Sequence, residues 1–170
     1  MDLEAVIKDL QSELGQAVLG VERGRGEVGL LLSPERVLTA CQRLRQRHGF
    51  DLLIALTAVD YWPNEPRFTL VYKFYSTMAN AFFGLRLPVP GTAAEVPTLE
   101  NIFPNANWHE REILDMFGVR FTGHSDPRRI LLPEDWEGHP LRKDHPLGYE
   151  EVQYTFNYDE IDRRKPYAVE

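Results

Sequence analysis

Apolar residues at Leu3, Val6, Ile7, Leu10 and Leu14 share one side of a helical wheel, and Gly15 follows as a stop. "AVLGVER" and "EVGLLL" then read as two short strands, and the "GRG" between them is the kind of turn that joins antiparallel neighbours. Ser33 and Pro34 carry helix-start chemistry. Val37, Leu38, Cys41 and Leu44 continue one apolar face until Gly49, which predicts a helix over 35–47. The apolar run 52–62 reads as a candidate central strand, broken by "PNEP". Phe68, Leu70, Tyr72 and Phe74, and after them Phe83, Leu85, Leu87 and Val89, alternate with their neighbours and predict two more strands. A further helix at 107–117 has Asn107 as its expected N-cap, Glu110 in capping-box position and Gly118 as its C-terminal glycine.

The order α-β-β-α-β-β-β plus a C-terminal helix packs most simply as an α+β domain. It would be a two-layer sandwich of one mixed sheet with its helices on one face, the other face being free to meet something else. We expect this domain to occupy 1–121. Beyond it, 122–170 carries prolines at 127, 133, 140 and 146 and one short apolar cluster, Ile130 to Leu132. That is too little to make a core, so the segment is expected to be an extended loop and tail that dock on a partner. The alternation of Val152, Tyr154, Phe156 and Tyr158 predicts that the tail adds as a strand to that partner's surface.

Composition narrows the function. With 170 residues the chain fits one domain, large enough to bury about two-thirds of its unfolded surface. Nineteen basic against 26 acidic residues give a net charge of −7, which argues against a nucleic-acid partner. The first fifteen residues are acidic and lack a continuous apolar stretch, so no secretory signal is expected. The apolar run at 52–62 is too short to span a bilayer, and any membrane attachment would come through a partner. Cys41 is the only cysteine, which excludes an intrachain disulfide and an iron–sulfur cluster held by this chain alone. It fits a reducing, cytosolic compartment, and it reads as a small core residue.

Candidate chemistry concentrates at "WHEREILDMFG", 108–118. On a helix His109, Glu112 and Asp115 form an i, i+3 row that a histidine from the later loop could complete as a metal site, the basis of a metal-dependent hydrolase reading. Ile113, Leu114, Met116 and Phe117 lie between and beside these carboxylates. The pattern is more simply that of a helix with one buried face and one wet or docked face. "GRGEVG" matches a dinucleotide fingerprint in letters, but a strand follows where a helix must open, so we read it as a turn. No G-x-S-x-G or H-E-x-x-H occurs.

The stretch "EREILDMFGVRFTGHSDPRRILLPEDWEGHPLRKDHP", 110–146, resembles the 30 kDa-type hydrophilic subunit of respiratory complex I, the NADH:quinone oxidoreductase. Glu110-Arg111-Glu112, Asp115, His124, Arg128 with Ile130-Leu131, and "GHPLRKD" at 138–144 carry the likeness. It departs from the pattern at His145 and at Ser125-Asp126-Pro127. The resemblance implies a ferredoxin-type sandwich in the peripheral arm of a proton-translocating complex, on the cytoplasmic side of a bacterial membrane. It implies no catalytic centre, metal or cofactor in this chain, with FMN and iron–sulfur clusters in partner subunits, and a structural role clamping the 49 kDa-type subunit. The same scaffold in a membrane-bound hydrogenase or ferredoxin-driven complex is the related alternative. The expected partner interface is Glu110, Arg111, Glu112, Asp115, His124, Arg128, Arg129, Trp136, His139, Arg142, Lys143 and Asp144. Within it, helix carboxylates would order the loop through pairs with Arg128, Arg129 and Arg142.

Overall fold

The computed structural model describes residues 1–24, 27–92, 94–145 and 154–164. Its elements are α1 (Leu3–Leu14), β1 (Val18–Gly24), β2 (Glu27–Leu32), α2 (Val37–Gln46), β3 (Leu52–Asp60), β4 (Phe68–Ser76), β5 (Ala81–Val89), β6 (Glu95–Pro97), α3 (Ala106–Phe117), β7 (Arg120–Thr122) and α4 (Tyr158–Arg164). Five strands form a mixed sheet in the order β1-β2-β5-β4-β3, parallel only between β2 and β5. The α+β expectation therefore holds.

Alternation explains the layering. Phe68, Leu70, Tyr72 and Phe74 of β4 and Phe83, Leu85, Leu87 and Val89 of β5 point into a core closed by Val6, Ile7 and Leu10 of α1, Ala40 and Leu44 of α2, and Ile113 of α3. Their neighbours on the strands stay half-exposed or exposed, so one face of the sheet is covered. Cys41 is buried among these residues as expected, and burial pushes its thiol far above the usual range. Among the described residues no helix is long and apolar enough to cross a membrane.

Three features differ from the sequence reading. The apolar run of β3 is an edge strand, not a central one: the chain reaches it over α2 and adds it outside β4, leaving β5 to meet β2. Its apolar count overstated its burial, because Leu52, Ile54 and Val59 are 45%, 43% and 38% exposed. A second, two-stranded sheet also exists. β6 and β7 pair in parallel, with α3 as the crossover between them, which fixes both ends of that helix. Strands of three residues leave too short a pattern to read. The tail, lastly, is no strand where it is described. The Asn157 side chain accepts the Tyr154 N–H at 2.6 Å, closing a turn, and α4 follows with Asp159 and Glu160 in its first turn. Residues 152 and 153 of the expected strand lie outside the described residues.

β2 and β5 approach closely at Gly29 and Gly84, where a Cβ on Gly29 would come within 2.6 Å of the Gly84 carbonyl oxygen. We expect Gly29→Ala to lower the unfolding free energy by about 1–3 kcal/mol in urea titrations. Gly24→Ala, which would meet open space, should change it far less.

Candidate functional site

The helix α3 buries Ala106, Ile113, Met116 and Phe117, and with them two carboxylates, Glu110 and Asp115, each 0% exposed. Glu110 falls within the apolar stripe, whereas Asp115 lies about 140° further round the helix. Burial of Asp115 must therefore come from something other than the sheet. It comes from the segment after β7, residues 123–145, which runs back over α3 as a strap.

Asp115 organises that strap. Its Oδ2 accepts the backbone N–H groups of Ile130, Leu131 and Leu132 at 3.1, 2.8 and 2.9 Å, and its Oδ1 accepts from the Arg129 guanidinium at 2.6 Å. Burial pushes the carboxyl up, and these four donors outweigh it, holding Asp115 below the usual aspartate range. Arg129 reaches on to the carbonyls of Trp136 and Gly138 at 2.9 and 3.4 Å. Arg111 donates to the carbonyls of Arg128 and Arg129 at 2.9 and 3.0 Å.

The strap also completes the helix end. The last four carbonyls of a helix lack partners within it. Here Leu114 O accepts the Gly118 N–H at 2.9 Å, Asp115 O faces His139 Nδ1 at 2.9 Å, Met116 O accepts the Leu141 N–H at 3.1 Å, and Phe117 O accepts from Arg142 Nε at 2.6 Å. Gly118, at φ 72°, allows both the reversal and the packing, because a Cβ there would meet Arg142 Nη2 and His139 Nε2 at 2.5 Å. Further along, the Lys143 N–H donates to Asp60 Oδ2 at 2.9 Å, and Arg67 bridges Asp60 and Asp144 at 2.8 and 2.6 Å. Burial raises the Asp60 carboxyl, but Arg67 and the backbone donors of Lys143 and Trp62 prevail and hold it at about 2.

Glu110 has a different task from the capping box expected of it. Its Oε1 accepts the Leu99 N–H at 2.7 Å and its Oε2 the Thr98 hydroxyl at 2.5 Å, tying α3 to the end of β6. Asn105, not Asn107, sits at the N-cap. The Asn105 amide bonds to Leu53 O, and that of Asn107 reaches Glu100 at 2.9 Å. His124 lies against this corner, its Nε2 facing Asn107 O at 3.1 Å and its Nδ1 accepting the Asp126 N–H at 3.0 Å.

The expected pairs are thus realised unevenly. Asp115 meets Arg129. Arg128 instead pairs with Asp126, and Arg142 serves a backbone carbonyl. Glu112 and Lys143 are exposed, and the Trp136 indole N–H is buried without a hydrogen-bond partner among the described residues. Sequence reasoning missed Asp60, Arg67, Thr98 and Glu100, which lie 20 or more positions from the strap residues they serve or behind the helix. The i, i+3 row His109, Glu112, Asp115 makes no metal site, because Asp115 spends its oxygens on the strap. Among the described residues no group of three or more His, Cys, Asp or Glu is placed to hold a metal.

Comparison with known proteins gives this arrangement a setting. A family profile described as "Respiratory-chain NADH dehydrogenase, 30 Kd subunit" matches residues 30–151. Proteins named as the C subunit of NADH-quinone oxidoreductase are similar to the chain. That of Roseiflexus sp. (strain RS-1) is 45% identical over 172 residues, spanning 100% of this chain and 99% of the relative. That of Geobacter sulfurreducens is 42% identical over 144 residues, or 84% and 88%. The solved trypsin-resistant fragment (1-134) of Nqo5 superimposes with a TM-score of 0.64 at 29% identity, covering 74% of this chain and 99% of the fragment. A chain of the membrane-bound sulfane sulfur reductase, an archaeal respiratory membrane complex, covers 100% of this chain and 97% of its own length. Its TM-score is 0.75 at 20% identity, a likeness of fold alone.

Burial pushes the Glu110 carboxyl above its ordinary value despite its bonds to Leu99 and Thr98. A raised folded value means that the fold holds this proton more tightly than the unfolded chain, so stability falls as pH rises from 4.5 through the folded value. We expect Glu110→Gln, which mimics the protonated form, to raise the thermal midpoint at neutral pH. The advantage should fade as pH falls through the folded value toward 4.5 and be absent below it, as read by circular dichroism melts across pH.

Proposed function

The chain belongs to the respiratory-chain NADH dehydrogenase 30 kDa subunit family, and from that membership we propose that it is a scaffold subunit of the peripheral arm of an NADH:quinone oxidoreductase. In this reading it works in an enzyme that passes electrons from NADH to quinone and translocates protons. FMN and iron–sulfur clusters reside in partner subunits, and the assembly lies on the cytoplasmic side of the membrane. Its own contribution is to clamp a 49 kDa-type neighbour, close to the cluster-bearing subunits. Residues 1–121 form the body, and 122–170 form the docking segment.

One observation carries the proposal: the strap is shaped in advance by α3, so a partner meets an ordered surface instead of ordering it. The polar residues expected at the interface divide accordingly. Glu110, Asp115, His124, Arg129, His139 and Arg142 are spent inside the chain, while Glu112, Arg128 and Lys143 look outward. Beside these outward charges, large apolar side chains stay uncovered among the described residues. Trp108 is 60% exposed and shares a helix face with Asp115 seven positions on; Leu131 and Leu141 on the strap are 61% and 53% exposed. The Arg111 guanidinium lies 5.5 Å from the centre of the Trp108 ring. Aromatic and apolar anchors within a polar rim are the composition of a protein interface. At the tail, Tyr154 and Phe156 stack at 5.2 Å, and Phe156 is 83% exposed, a second apolar contact for the neighbour.

Trp108→Ala combined with Leu131→Glu should sharply reduce the 49 kDa-type subunit recovered with the tagged chain, and leave the thermal midpoint of the isolated variant unchanged. Full assembly and full NADH:quinone turnover with this double variant would overturn the clamp.

A further inference from the structure

We propose that residues 129–145 of the strap open as one unit while the sheet and its helices stay folded, and that acidification releases them.

The first support is the kind of force holding the strap. The body buries an apolar cluster from α1, α2, α3 and both sheets, yet of the strap only Leu132 packs partly against it. Leu131 and Leu141 face outward. Among the described residues the strap is held chiefly by polar clips: the Asp115 carboxylate, Arg111 on the carbonyls of Arg128 and Arg129, the terminal carbonyls of α3, and the Asp60–Arg67 pair gripping Asp144 and the Lys143 N–H, with the Arg142 guanidinium 5.6 Å from the centre of the buried Phe68 ring. Segments with few buried apolar contacts open at lower free energy than the core they lie on. The N–H groups of Ile130, Leu131 and Leu132 donate to a side chain, not to a strand or helix. They are therefore protected only while the strap is closed.

The second support is the chemistry of the clips. Asp115 faces Arg129 from the strap, and His139 faces the Asp115 carbonyl with Arg129 and Arg142 as its charged neighbours. Asp60 faces Arg67 and the Lys143 backbone, and Asp144 faces Arg67. Burial, reinforced by Arg142 and Arg129, holds the His139 imidazole below its ordinary value of 6.5. Closure is then favoured above 6.5 and weakens as pH falls through the folded value, because the open strap takes the proton more readily. Asp115, Asp60 and Asp144, all held below 3.8, act in the same direction at lower pH. Glu110, on the other side of α3, has the opposite sign and favours the folded body as acid rises. Body carboxylates held low, such as Asp9 and Glu100, respond only in the carboxylate range, so acid in the histidine range acts on the strap before the domain.

The inference does not rest on the partner reading, since every contact is within this chain, and the full-length chain alone tests it. Hydrogen exchange followed by mass spectrometry, corrected for the intrinsic rate, is compared between about pH 7 and about pH 5, the range in which histidine titrates. The expected result is a loss of protection of about tenfold or more in peptides covering 129–142, with peptides of β4 and β5 unchanged. Asp115→Asn, close to isosteric, should produce the same selective loss at neutral pH. Strap and sheet losing protection in step would overturn the proposal. So would a strap whose protection changes neither with acid nor with Asp115→Asn.

Discussion

A carboxylate removed from water needs donors on every lone pair it keeps, and an uncompensated one costs several kcal/mol, by rough estimate. Asp115 meets that demand with three consecutive backbone N–H groups and one guanidinium. Much of the course of residues 123–145 follows from this. Three adjacent amides can converge on one oxygen only if Ile130 to Leu132 turn around it. Arg129 must then lie where its second nitrogen finds Trp136 O, and the chain returns past the end of α3 to close off its carbonyls.

The sheet, two packed helices and the charged helix were legible in the sequence because their signals are local. Leu3 to Leu14 repeat at helical spacing, Phe68 to Phe74 at strand spacing, and Gly118 marks a helix end. What stayed hidden depends on contacts between distant residues. That β3 would be an edge follows from the crossover through α2, which no window of residues reveals. Glu110 satisfied a capping-box spacing, yet its helix phase shared with Ile113 and Phe117 turns it toward Thr98 and Leu99. Most instructive is residues 123–145, which have too little apolar material for a core. They were expected to dock on a partner, and this chain's own helix α3 already supplies donors and acceptors for much of their course.

That reassignment changes how a member of the respiratory-chain NADH dehydrogenase 30 kDa subunit family can be understood. Charged residues clustered in one motif suggest an interface, but here most are spent on internal order. What stays exposed is the less conspicuous remainder: Trp108, Leu131 and Leu141, together with Glu112, Arg128 and Lys143. Such a division lets a strap with little core of its own present a defined shape, at the expense of depending on the protonation of a few side chains.

The claim that one carboxylate shapes the strap is tested most directly by following the Asp115 side-chain carboxyl carbon by NMR across acid pH in the isolated chain. A midpoint below the ordinary 3.8, with the amide protons of Ile130, Leu131 and Leu132 shifting at that same midpoint, is the predicted result. A midpoint at or above 3.8, with those amides indifferent to it, would contradict the account.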